Sequence, residues 1–417
     1  MRRLILAAFI LFATACSSQA NVSLIMGGSG GSNLINAYYY HPMGLSDAST
    51  NAFYARNFLI SAPGTLEGMA ARLNNAPGSG KSYTLTVYKN DSPTSLVVTI
   101  ADTASTGENT VNTVAVVAGD WITIRVTSSG SPSQIGQWSI RFNSTDPGFS
   151  MLSGCGGTEA LSRTDAQYIA LAGAADTAAL NETEGNVKLL IPCAGTVKNL
   201  YIHLYTAPGV GTSRTFTINK NGDPTGLTVT LSGATATGSI TSDVAFSAGD
   251  FISLVGTPTD NPEASYIWVG VTFQAAVLGN FITGQSASAN LSVTSSQYWA
   301  CAKVAATGTA TYGYVYMIGD GASVKTIYAA VDTPPGASKW WTFKLYRSGS
   351  NTGLQAVISG AAALSASGNG DISSTTYQTF YWYVTPSTSS IAASPPHVSF
   401  VLYIQPPPSG RRLMMIQ

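Results

Sequence analysis

The chain has 417 residues, including 42 Gly and 19 Pro, with Lys plus Arg 20 against Asp plus Glu 20 and a formal net charge of zero. A charged share of 10%, against about 25% in ordinary soluble domains, leaves no basic field for phosphates and excludes nucleic-acid binding through a basic surface. The 45% hydrophobic share supplies real cores and excludes a disordered chain, and the length suggests about three domains.

In chain order, Met1-Arg2-Arg3, the apolar run Leu4 to Phe12 and Ala13-Thr14-Ala15 carry the charged, apolar and small-residue zones of a secretory signal peptide over 1–20. The run is too short to span a bilayer as a stable helix. Cys16 directly after Ala15 resembles a bacterial lipoprotein signal, in which that cysteine is lipidated, although Ala13 stands where such signals have Leu. The alternative is simple cleavage near Ala15 or Ala20. Both imply an exported protein, extracellular or at the cell surface, whose only membrane attachment would be a lipid on Cys16 at the outer membrane. Gly27-Gly28-Ser29-Gly30-Gly31 lacks the GKS/T of a phosphate loop and is expected to be a linker.

An internal repeat organises the rest. Residues 76–100 and 207–231 align without a gap, so that Pro77, Lys89 and Leu96 lie 131 before Pro208, Lys220 and Leu227. In a third copy, 334–358, Pro335, Thr342, Phe343, Thr352 and Leu354 lie 127 beyond their counterparts in the second. Ala118-Gly119-Asp120 and Ala248-Gly249-Asp250 extend the register downstream, and the third copy has lost this Gly-Asp turn near Thr376-Tyr377. The expected domains are 22–148, 149–278 and 279–405, with a Pro-rich tail at 406–417 that is disordered or docks elsewhere.

Within a unit the pattern has period two. Leu85, Val87, Leu96, Val98 and Ile100 alternate with polar residues, as do Phe216, Ile218, Leu227, Val229 and Leu231, which predicts half-buried strands. Asn221-Gly222 predicts a tight hairpin. Further strands are read at 57–61, 67–73, 111–117, 121–126 and 137–142. The fold class is therefore all-β: three tandem antiparallel β-sandwich or jelly-roll-like domains behind the signal peptide, joined like beads on short connections. The pattern APGxGxSxTxTxxKNGxPTxLxVT, followed by an AGD turn, resembles a sandwich module of environmental bacterial secreted surface proteins and phage tail-fibre or virion proteins. That resemblance implies the fold and lends no catalytic residues.

Chemistry-bearing residues are sparse. His41, His203 and His397 fall at non-equivalent positions of the three units, with no GxSxG, HxH or HExxH spacing, so no triad and no metal site is expected. The repeating acids Asp91 with Asp223, and Asp120 with Asp250, read as turn residues that accept backbone hydrogen bonds. Cys155 and Cys193 share a unit and are candidates for a disulfide, with buried thiols as the alternative. The third unit concentrates aromatics. Alternation places Trp341, Phe343 and Leu345 in the core and turns Trp340, Lys344 and Tyr346 outward as candidate ligand-binding residues. The expectation is a non-catalytic exported surface protein, without cofactor, acting in display or adhesion and binding a surface glycan or a protein partner through the third unit. Alternatives are a virion, tail-fibre or appendage subunit forming homo-oligomers, and a secreted carbohydrate-active enzyme or its binding modules.

Overall fold

A computed structural model describes residues 21–29, 32–40, 42, 44–45, 56–144, 149–157, 159–174, 180–276, 280–286, 291–299, 301, 304–305, 316–317, 322–375, 377–387 and 398–405. The signal segment with Cys16, the tail 406–417, His41 and His397 lie outside these residues. The chain is all-β and sandwich-like; the helical element among the described residues is one 3-10 turn, Glu184–Asn186. No helix among them is long and apolar enough to cross a membrane.

The hairpin predicted at Asn221-Gly222 forms, and it forms three times. Strand Gly78–Lys89 turns into Ser92–Asp102, Gly209–Lys220 into Asp223–Gly233, and Gly336–Arg347 into Ser350–Gly360. Each turn places two consecutive residues at positive φ: Asn90 and Asp91 at 48° and 64°, Asn221 and Gly222 at 54° and 93°, Ser348 and Gly349 at 47° and 90°. This is the twist a two-residue hairpin needs, and Asn, Asp and Gly reach it at the least steric cost. Just beyond, Thr94, Thr225 and Thr352 donate their hydroxyls at 2.7 Å to the carbonyls of Val87, Ile218 and Leu345.

Alternation then fixes what faces inward. Tyr83, Leu85 and Val87, and Trp341, Phe343 and Leu345, are at most 1% exposed. Arg214 takes the equivalent position in the second unit and is also buried. The two terminal nitrogens of its guanidinium donate to the carbonyls of Leu161, Ser162 and Glu263, while its Nε is buried without a partner. The three carbonyls offset much of the cost of a charged group inside a sheet sandwich.

One strand order recurs in every unit. In the first it runs Gly44–Leu45, Asn21–Gly28, Gly136–Ser144, Gly64–Leu73, Thr106–Val116 in one sheet and Tyr38–Tyr40, Trp121–Ser129, Gly78–Lys89, Ser92–Asp102 in the other. Pairings are antiparallel except where Gly44–Leu45 and its counterparts Ala172–Ala174 and Val304–Ala305 run parallel to their neighbours. Gly27 and Gly28, expected in a linker, instead end the strand Asn21–Gly28. A Cβ on Gly27 would meet the Pro42 carbonyl and the Trp138 ring, so the glycine is needed for close approach.

The expectation of separate beads is corrected by the packing. The short strand Phe58–Leu59 of the first unit lies against Phe149–Cys155 and Ile267–Ala275 of the second. Its counterpart Leu189–Leu190 lies against Asn280–Ser286 and Val398–Gln405 of the third, and Tyr316–Met317 lies against Asn21–Gly28 and Gly136–Ser144 of the first. The same contact is thus used three times and closes head to tail, with Asn21–Gly28, Phe149–Cys155 and Asn280–Ser286 mutually in contact at the centre. Around that centre the Ser23 hydroxyl donates to the Phe149 carbonyl, and the Phe281 amide donates to the Ser150 hydroxyl. Ala174 and Gly44 pair across the first two units, so one 11-stranded sheet runs through both. Apolar cores also cross the repeat boundaries: Phe281, Ala330 and Val401 of the third unit pack into the core of the second.

Candidate functional site

The acids read as turn residues form a repeated clasp. Asp120 accepts the Val117 amide at 2.9 Å and the Asn90 side-chain amide at 2.6 Å, and Lys89 lies 3.3 Å away. Asp250 does the same with Ser247, Asn221 and Lys220. Burial pushes both carboxyls up, but the backbone amide, the Asn amide and the Lys together outweigh it and hold them below the usual carboxylate value. Ionised and fully partnered, they have no proton to give at neutral pH.

The third unit keeps this clasp with different residues. Gln378 accepts the Thr375 amide at 3.0 Å, as Asp120 accepts Val117. Arg347 donates to the Ser373 carbonyl as Lys89 and Lys220 donate to Ala115 and Ala245. Tyr377, at φ 69°, occupies the left-handed position of Gly119 and Gly249. The Gly-Asp sequence is lost, but the turn it built is not.

The outward residues of the third unit lie where alternation put them. Trp340 is 44% exposed, and its backbone is tied to Ser387 at the strand's start. Tyr346, six residues on, is about 20 Å away along the strand, so the two do not form one pocket. Lys344 stands opposite Tyr383, and Tyr346 opposite Tyr381. Tyr346 stacks on Tyr381 with ring centroids 5.4 Å apart at 25° and meets Tyr383 at 5.3 Å. Tyr298 from the neighbouring strand Gln297–Trp299 meets Tyr383 at 4.8 Å and Tyr381 at 5.5 Å. The result is a four-tyrosine cluster bordered by Lys344. The sequence pattern pointed to Tyr346 and missed Tyr298, which lies 48 residues earlier and joins only through strand pairing.

The repeats supply an internal comparison. In the first unit the same places hold Tyr39, Tyr88 and Arg125, with the guanidinium over both rings at 5.4 and 5.9 Å. In the second they hold Tyr168, Asn219 and Val255, and Asn219 and the adjacent Ser253 both donate to Glu184. One scaffold face is therefore cationic-aromatic, acidic or all-tyrosine depending on the unit. The other aromatics concentrated in the third unit, Trp299, Trp341, Phe380 and Trp382, are core.

No disulfide joins Cys155 and Cys193. Cys155 packs with Leu59 and Trp268 between the first two units, while Cys193 lies beside the second core, where burial pushes its thiol up to about 11. Burial likewise raises the Cys301 thiol. Among the described residues no group of three His, Cys, Asp or Glu could hold a metal. No family model matches the chain, and no curated protein matches it.

Proposed function

We propose that this chain is an exported, non-catalytic surface protein built of three tandem jelly-roll domains, and that it adheres through the outer face of the third. The observation that carries this reading is the cluster of half-buried Tyr298, Tyr346 and Tyr383 packed over the buried Tyr381, beside Lys344. Tyrosines present apolar area with a hydrogen-bonding tip at low entropic cost, the composition of recognition surfaces for glycans and proteins. Ionised acids locked into turn clasps support a non-catalytic role. The export reading rests on the sequence of residues 1–20, including Cys16 as the lipid attachment candidate.

The test is glycan-array and cell binding of the mature chain beside the double variant Tyr346→Ala, Tyr383→Ala and the single variant Trp340→Ala. Loss of at least tenfold in the double variant, with an unchanged unfolding midpoint, is expected. Full binding by the folded double variant overturns the reading. Size-exclusion chromatography separates adhesion from assembly: higher oligomers that dissociate in the double variant favour a virion or appendage subunit instead.

A further inference from the structure

The head-to-tail contact occurs three times, so its copies can be compared position by position. Where the first unit meets the second, the ring of His203 lies 4.6 Å from Trp121 and 4.2 Å from Trp268, and the two indoles lie 5.6 Å apart. Beside them a cleft of about 260 Å³ opens, lined by Trp121, Tyr201, His203, Thr237 and Ser239, with Leu59 at its floor. Where the second meets the third, Phe251 takes the place of Trp121 and Ala330 that of His203. Lys188 covers Phe251 at 4.6 Å, and the remaining space is about 10 Å³. Where the third meets the first, Arg72 holds the equivalent position and donates to the Tyr377 carbonyl at 3.1 Å. The first of these interfaces is therefore left open and walled with aromatic rings, while at the second Lys188 lies over Phe251 and at the third Arg72 is bonded to Tyr377.

The wall chemistry selects the occupant. No Asp, Glu, Lys or Arg lines the cleft, so nothing in it would compensate a charged ligand on desolvation. Two aromatic side chains, Trp121 and Tyr201, flank hydroxyls from Thr237 and Ser239 and an imidazole that burial keeps neutral. The volume falls below the roughly 300–1,000 Å³ of drug-sized sites, which suits one ring, not an extended chain. We infer that the cleft between the first two units is a binding site for a single neutral pyranose, whose apolar face lies on Trp121 or Tyr201 and whose hydroxyls meet Thr237, Ser239 and His203. This site is separate from the tyrosine face of the third unit, and its failure leaves that reading standing.

The experiment is saturation-transfer NMR on the full mature chain with methyl glucoside, methyl galactoside and methyl mannoside, with glucuronate and uridine as comparators. Saturation transfer to at least one neutral methyl glycoside is expected, competed by neither comparator. His203→Ala, which installs the residue found at position 330, and Ser239→Phe, which fills the exposed mouth, are each expected to weaken that signal at least fivefold. Tyr346→Ala is expected to leave it unchanged. The proposal is overturned by three outcomes: no transfer to any neutral glycoside, equal transfer in both cleft variants when folded, or preferential binding of glucuronate or uridine.

Discussion

His203 shows how a residue's meaning depends on its neighbours. In sequence it is one histidine in a strand with no motif around it. In the fold, burial between Trp121 and Trp268 pushes its pKa down to about 4. The unfolded chain protonates near its ordinary value of about 6.5, so the neutral ring's contribution is complete above that pH and is lost as pH falls toward 4. After discounting for its partial solvent contact, the loss is on the order of 1–2 kcal/mol. Urea midpoints measured at pH 7.5 and pH 4.5 are expected to fall further in the wild type than in His203→Phe. A second residue-scale expectation concerns the clasp: Asp250→Ala strands the Ser247 amide and Lys220 and costs about 1–2 kcal/mol, read from urea unfolding at pH 7. Because the Asp120 and Asp250 carboxyls sit below their ordinary value, that contribution persists above it and fades in acid, a lower window than that of His203.

At the scale of elements, the hairpin and the alternation were legible because they are local. Asn221-Gly222 sits between period-two runs, and only a two-residue turn satisfies both. Gly222→Val places a β-branched residue at φ 93° and is expected to cost about 1–2 kcal/mol, measured by thermal unfolding. Ser348-Gly349 and Asn90-Asp91 carry weaker signals for the same turn, yet the repeat register places them correctly. The buried Arg214 was not legible, since alternation alone assigns an apolar residue there. Its carbonyl partners come from Leu161, Ser162 and Glu263, about 50 residues away on either side.

For the whole molecule, the cyclic packing replaces the picture of beads and changes what unfolding should look like. Gly270 lies against the first unit so closely that a Cβ would come within 2.7 Å of the Leu59 carbonyl. Thr272 donates to the hydroxyl of Ser61 at 3.0 Å beside it. Gly270→Val is therefore expected to raise hydrogen exchange in both Phe58–Leu59 and Ile267–Ala275 while leaving the hairpin Gly336–Gly360 protected. Calorimetry of the intact chain is expected to give one dominant transition, because apolar cores cross the repeat boundaries. Three resolved transitions would show that the units are energetically independent.

The sequence by itself determined the strand type, the hairpins, the three-fold repeat and the inward and outward faces, because each depends on spacing within a few tens of residues. Only the tertiary structure decided which outward side chains meet. Tyr298 joins Tyr346 through an intervening strand, Cys155 lies at a boundary instead of bridging to Cys193, and His203 meets Trp121 across 82 residues of chain. Closure of the repeats on one another decides these contacts, and closure depends on surfaces that no local pattern encodes.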